Sequence, residues 1–375
     1  MATITPYDTA SGKRYRVRYR TPDRRQTDRR GFRTKRDAQA FASTVEVAKM
    51  RGEYVAPGDG RITVDTVVDR WLRGRGDLGA STSERYAGII RTHIAPRWTG
   101  VAIGDVRHSD VQAWSAELTS GGMSPASVRK TVRVLSLTLD LAVSDRLLAV
   151  NPCAKVKIAR PEVAPRRYLN HLQVRALANA SGDRRAVVLL LAYGGLRWGE
   201  LAALRVGDVD LGRRRVTIER SVTEVGGKLE WTDGKSSKRR TVPMPRFVAS
   251  ELAGAVAGKG ADDLLFTGER SGGVLRVRIA RRSWFDRAVV ESGCPEGLHP
   301  HELRHTSASL AVSAGANVKA VQTMLGHASA AMTLDTYADL FSDDLDAVAD
   351  RLDEVVGKMW QLPRQLWSDL SRYRL

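Results

Sequence analysis

The sequence predicts a mainly helical chain with small β-sheets, an α+β fold of several domains. Three observations carry this. From residue 64 onward, apolar residues recur in several segments at i, i+3, i+4 and i+7, the spacing of one buried helix face. Period-two alternation of β-prone residues is confined to short stretches near residues 15–19 and 216–243, which is enough for small sheets only. The composition, 42% hydrophobic and 27% charged, is that of a folded globular chain and excludes a mainly disordered one. At 375 residues there is room for two or three domains.

The first element is a strand. Tyr15, Val17 and Tyr19 alternate with Arg16, Arg18 and Arg20, giving one apolar and one basic face. Thr21-Pro22-Asp23 reads as a turn, and Phe32 opens a further strand. Thr34 then caps a helix carrying Ala38, Phe41, Ala42 and Val45 on one face. This unit spans 1–55, and Gly and Pro mark a linker over 56–62.

A helical domain follows over 63–150. Its first stripe is Val64, Val67, Val68, Trp71 and Leu72. Its second is Tyr86, Ile89, Ile90, His93 and Ile94. Ser109 caps a third helix with Val111, Trp114 and Leu118 inward. Ser124-Pro125 starts a fourth, with Ser at the cap and Pro in the first turn. A second linker over 151–167 combines Pro152, Pro161 and Pro165 with Lys155, Lys157, Arg160, Arg166 and Arg167. It reads as an extended strap on a phosphate backbone, as a plain tether, or as both.

From 168 to 342 helices return around a β section. Val187 to Ala192 is apolar all round, so that helix should be deeply buried. Val216–Val222 and Thr241–Pro243 read as strands joined through Gly226-Gly227 and Asp233-Gly234 turns. The tail, 343–375, is acidic in its first part, with a Leu345, Val348, Leu352, Val355, Met359 stripe. That stripe can pack on its own domain or on a neighbouring protomer.

Charge narrows the partner. Sixty Lys and Arg against 42 Asp and Glu give +18, which points to a polyanion. The longest apolar run, Ala186 to Tyr193, is eight residues, too short to span a bilayer. No signal peptide is visible at the N-terminus, so nucleic acid is favoured over a membrane. Two distant cysteines, Cys153 and Cys294, fit a reducing cytoplasm rather than a disulfide framework or thiolate zinc site. Twelve of the basic residues lie between 13 and 36. Arg14, Arg16, Arg18, Arg20, Arg24, Arg25, Arg33 and Lys35 are the expected nucleic-acid contacts there, with Lys155 and Lys157 in the second linker.

Three segments carry chemistry. In Leu191-Ala192-Tyr193-Gly194-Gly195-Leu196-Arg197-Trp198-Gly199-Glu200, a buried helix ends at two glycines and Arg197 opens the next. An Arg there can fork two donors onto a phosphate, and Glu200 at i+3 can brace it. In His299-Pro300-His301-Glu302-Leu303-Arg304-His305, Pro300 suits a first helical turn and His301 and Arg304 share a face. His305 lies on a neighbouring face and reads as a hydrogen-bonded structural residue. The third segment is Leu325-Gly326-His327 with Tyr337 ten residues beyond the His. No Asp/Glu cluster suited to a catalytic metal stands beside these groups, so no metal is expected.

Taken together, Arg197, the H-x-x-R box, L-G-H and the following Tyr337 resemble the tyrosine recombinase family of phage-type integrases. Lys235-Ser236-Ser237-Lys238-Arg239-Arg240-Thr241-Val242-Pro243 resembles that family's lysine hairpin. The basic N-terminal unit is similar to the arm-type DNA-binding domain of lambda-like integrases, and the layout resembles actinobacteriophage members. The resemblance implies an arm-type domain over 1–55, a core-binding domain over 63–150 and a catalytic domain over 168–342. It implies Tyr337 as nucleophile, Arg197 and Arg304 on the non-bridging oxygens and His301 on the tyrosine proton. His327 would bond the phosphate, and Lys235 would be the acid for the 5′ oxygen, with Lys238 the competing assignment. It further implies a tetramer on double-stranded attachment sites in a bacterial cytoplasm, aided by a host DNA-bending protein and an excision directionality factor. A type IB topoisomerase and a non-catalytic DNA-binding regulator are the alternatives.

Overall fold

A computed structural model describes residues 2–22, 24–52, 54–56, 58–160, 167–233, 239–268, 272–341, 349, 350, 352–354 and 356. The chain divides into two compact units, 1–163 and 164–375.

The first unit contains two separate cores. One is the N-terminal sheet, with strands β1 (Thr3–Thr9), β2 (Gly12–Arg20) and β3 (Gln26–Phe32) in antiparallel order, and helix α1 (Lys35–Met50) on one face. The period-two pattern sends Val17 and Tyr19 inward against Ala38, Val45 and Tyr54. The alternate residues Arg14, Arg16, Arg18 and Arg20 therefore take the other face, where Thr5 of β1 accepts from Arg16 Nε at 2.9 Å. Thr34 caps α1 as expected, accepting from Asp37 N–H at 3.1 Å. Two details differ from the sequence reading. β1 goes unread because its polar TITPYDT gives little alternation, and Phe32 ends a strand rather than beginning one.

The second core holds the helical domain: α2 (Val64–Arg73), α3 (Ala80–Ile89), α4 (Ala95–Trp98), α5 (His108–Ser120) and α6 (Pro125–Ser144). A π-helical turn at Ile90–Ile94 joins α3 to α4. Val67, Trp71, Ile94, Trp114, Val132, Leu135 and Leu139 meet in the interior. Helix α5 starts one residue before Ser109, because Asp110 accepts from Arg107 N–H at 3.2 Å and fixes the first turn there. The domain also runs past 150. Cys153 is buried in its core, with Val156 and Ile158 packed alongside. Gln112 pairs with both backbone groups of Lys157, at 2.9 and 2.8 Å, and Arg129 donates to the carbonyls of Ile158 and Ala159. This part of the expected strap is docked on α5 and α6, while the Lys155 and Lys157 side chains stay exposed.

The second unit is built around α8 (Arg185–Gly194), which follows α7 (His171–Ala180) and is buried at Ala186 to Ala192. Around it lie α9 (Trp198–Ala202), α10 (Arg246–Val256), α11 (Val277–Ala280), α12 (Asp286–Glu291), α13 (Pro300–Ser313), α14 (Val318–Leu325) and α15 (Ala330–Phe341). A π-helical turn at Arg281–Phe285 joins α11 to α12. A three-stranded sheet runs β4 (Val209–Asp210), β5 (Arg215–Ile218), β8 (Arg240–Pro243), and β6 (Arg220–Val225) with β7 (Lys228–Asp233) forms a separate hairpin. The hairpin turns at Gly226 and Gly227, both at positive φ. No helix among the described residues is long and apolar enough to cross a membrane.

Candidate active site

Helix α8 must end abruptly to present Arg197, and Gly195 makes this possible. Its φ is +65°, and a Cβ there would lie 2.8 Å from Leu325 Cδ2, so glycine serves both the turn and the close packing. Arg197 is the N-cap of α9, and Glu200 three residues on accepts from its backbone N–H at 2.8 Å and from its Nη1 at 2.9 Å. The Arg197 side chain remains 46% exposed.

Glu200 itself is buried, and its second partner is one the sequence reading missed. Arg240 of β8 donates to both carboxylate oxygens, at 2.9 and 2.6 Å, and its Nε donates to Met324 O at 3.1 Å. The sequence signal was present. Arg240 lies two residues before the apolar Val242, so strand periodicity puts the two on one face, while the pairing of β8 with β5 sets which carboxylate it meets. Burial alone would push the Glu200 carboxyl up, but the hydrogen bonds and charge of Arg240, with Arg197 behind it, hold it below the usual range.

Arg304, on α13, is 3% exposed. Its two Nη groups donate to Gly195 O and Leu325 O, which ties the end of α8 to the end of α14. Burial, followed by the nearby charge of Arg197, presses it down to about 10, so it remains charged at neutral pH. Gly326 closes α14 in the left-handed region at φ +66°, and a Cβ there would meet Arg240 at 2.9 Å. His327 follows, its Nδ1 2.9 Å from Thr333 Oγ1. Burial and the charges of Arg304, Arg197 and Arg240 lower its pKa to about 4.

Tyr337 interrupts the helical backbone of α15 at φ −132°, ψ 18°. Its side chain is 1% exposed among Ala308, Val312, Val321 and Leu325. The hydroxyl lies 2.7 Å from Nδ1 of His305, and the ring is parallel to that of His327 at 6.4 Å. His301 is exposed and meets the His305 ring edge-on at 5.2 Å. Partial desolvation of its ring, followed by the charges of Arg304 and Arg197, lowers its pKa. The neighbour of the tyrosine oxygen is thus His305, a helical turn beyond His301 on α13. Periodicity could not choose between them, because the choice depends on where α15 crosses α13.

Five of the expected residues, Arg197, Arg304, His301, His327 and Tyr337, share this neighbourhood, together with Glu200. Arg197 and Arg240 pair with the Glu200 carboxylate and Arg304 lies within electrostatic reach of it, an excess of positive charge suited to an anion such as a phosphodiester. Lys235 and Lys238 lie outside the described residues, as does most of the tail. No cluster of His, Cys, Asp or Glu able to hold a metal occurs among the described residues. In the first unit Arg18, Arg20, Arg24, Arg25, Arg33 and Lys35 are exposed, and Arg14 and Arg16 are half-buried.

Residues 167–343 match the phage integrase family. This unit is a phage integrase family domain, the catalytic domain of tyrosine recombinases. The integrase of Mycobacterium phage D29 is 26% identical over 347 residues, covering 88% of this chain and 90% of its own. The Tn1549 transposon integrase, solved in complex with a circular intermediate DNA, superposes with a TM-score of 0.68 at 22% identity, covering 77% of this chain and 99% of that one. A lambda integrase tetramer bound to a Holliday junction gives 0.60 at 20% identity, over 88% and 94%. The phage integrase domain makes this chain an enzyme that breaks and rejoins DNA strands.

Proposed function

We propose that this chain is a site-specific recombinase that integrates and excises phage DNA through a 3′-phosphotyrosine at Tyr337. The observation that carries the reading is the convergence of Arg197, Arg304 and His327 beside a tyrosine whose hydroxyl is held within hydrogen-bond range of a histidine nitrogen. Arg197 is the outward-facing guanidinium and takes a non-bridging oxygen first. The N–H groups of Arg304 not committed to carbonyls take a second, and His327 takes a third contact. Cations near the oxygen favour phenolate over phenol and stabilise the charge that develops on phosphorus.

In the reaction the Tyr337 oxygen bonds to phosphorus, its proton leaves and the P–O5′ bond breaks. The 5′ oxygen takes a proton from Lys235, with Lys238 as the competing donor. His305 holds the hydroxyl before attack, and His301 accepts the proton at the phosphate. Rejoining reverses these steps. The phosphodiester energy is conserved in the phosphotyrosine, so neither metal nor nucleotide is required.

The basic outer face of the N-terminal sheet serves the distal arm sites, and residues 63–159 serve the core site. Four copies act on two synapsed sites, assisted by a host DNA-bending protein and an excision factor. The deciding experiment uses a nicked suicide substrate, from which the cleaved fragment diffuses away. The wild type should become covalently joined to DNA in excess EDTA, and Tyr337→Phe should bind without forming the adduct. An adduct with Tyr337→Phe, or cleavage that only Mg²⁺ restores, would reject the mechanism.

A further inference from the structure

We infer that Thr333 is a positioning residue that fixes which nitrogen of His327 carries the proton, and so makes the imidazole a hydrogen-bond donor toward the scissile phosphate. The inference rests on the reading of His327 as a phosphate contact.

The geometry leaves His327 little freedom. Its backbone N–H donates to Gln322 O at 3.1 Å, and its carbonyl accepts from Gln322 Nε2 at 3.2 Å. One ring face lies parallel to Tyr337, and Nδ1 is occupied by the Thr333 hydroxyl at 2.9 Å. Nε2 is the ring nitrogen left for a ligand. Because burial and the surrounding arginines keep the ring neutral at neutral pH, it carries one N–H, and the position of that hydrogen decides its chemistry. With the proton on Nε2 the ring donates to an anionic oxygen. With the proton on Nδ1 it turns a lone pair toward that oxygen, which is repulsive.

Thr333 selects between these states through its burial. It is 0% exposed, and its hydroxyl makes no other hydrogen bond among the described residues. If Nδ1–H donated to Thr333, the hydroxyl's own proton would be buried with no acceptor, and an unsatisfied buried donor is costly. If instead the hydroxyl donates to Nδ1, its proton is satisfied and Nε2 must hold the ring hydrogen. An ordered hydroxyl behind the imidazole thus does the work that a carboxylate or carbonyl does behind many metal-bound or catalytic histidines.

The test has a spectroscopic and a kinetic arm, both on the full chain. With ¹⁵N-histidine labelling, the seven histidines are resolved by ring-nitrogen shifts, and His327 is assigned by its loss in His327→Gln. Near neutral pH the wild type should show Nε2 protonated and Nδ1 bare. Thr333→Ser should keep that pattern, and Thr333→Val should shift it toward a mixture of tautomers. On the suicide substrate, Thr333→Val should cleave about 3- to 10-fold more slowly, the loss expected for one neutral hydrogen bond. Its core-site affinity by gel shift should be unchanged, and Thr333→Ser should cleave near the wild-type rate. A wild-type spectrum with the proton on Nδ1 would overturn the inference even if Thr333→Val does not fold. So would a Thr333→Val protein that cleaves at the wild-type rate. Failure of the wild type itself to form an adduct would reject the recombinase reading instead.

Discussion

Arg240→Met is the most informative perturbation of the site's frame. The substitution keeps much of the side-chain volume and removes three hydrogen bonds: two to Glu200, at 2.9 and 2.6 Å, and one to Met324 O at 3.1 Å. The Arg240 and Glu200 side chains are 9% and 5% exposed, so solvent cannot replace the lost partner. Removing one member of a buried pair typically costs about 3–5 kcal/mol, because the other charge stays buried. Glu200 keeps Arg197, which places the expectation near the low end, about 3 kcal/mol. For a unit of roughly 200 residues, each kcal/mol moves the midpoint by about 2–4 °C, so calorimetry of the full chain should show a transition falling by about 6–12 °C. The same substitution in a Glu200→Gln background should cost less, since the stranded charge is gone, with a coupling of roughly 1–3 kcal/mol. A midpoint change under about 2 °C, or an equal cost in both backgrounds, would refute the claim that Arg240 acts through Glu200.

Tyr337→Phe should lose about 1 kcal/mol along with its reactivity, because the hydroxyl bond to His305 is removed from a buried place; a small drop in thermal midpoint in the protein that forms no adduct checks this. Gly199→Ala should impair both stability and cleavage, since a Cβ there would lie 2.5 Å from Val222 O and must push β6 off α9 at a cost of about 1–3 kcal/mol; a fully stable, active protein would contradict the packing. His327 should titrate near 4 by NMR. Its folded pKa lies below the unfolded value of about 6.5, so the unfolded chain binds more protons between the two. Its contribution to stability is therefore lost as pH falls from about 6.5 towards 4, and an NMR midpoint above 6 would show that neither burial nor the surrounding arginines act on it.

The local elements were determined by the sequence, because they depend on periodicity and end signals that neighbouring residues carry themselves. The stripe from Val64 to Leu72, the Ser124-Pro125 helix start, the Thr34 cap and the wholly apolar Val187–Ala192 run each form where the spacing put them. The chemical boxes were legible for a similar reason: Arg197 with Glu200, and His301 with Arg304, are one-turn neighbours on a helix. Tertiary structure decided what meets across elements. Arg240 lies 40 residues from Glu200, and only the pairing of β8 with β5 turns it onto that carboxylate. His305 rather than His301 reaches the Tyr337 oxygen because α15 crosses α13 at that turn. Arg304 spends two donors on the carbonyls of Gly195 and Leu325, which no spacing rule anticipates. Such contacts join residues far apart in the chain, so their partners are set by how helices and strands pack, and packing depends on the shape of the whole core rather than on any local pattern.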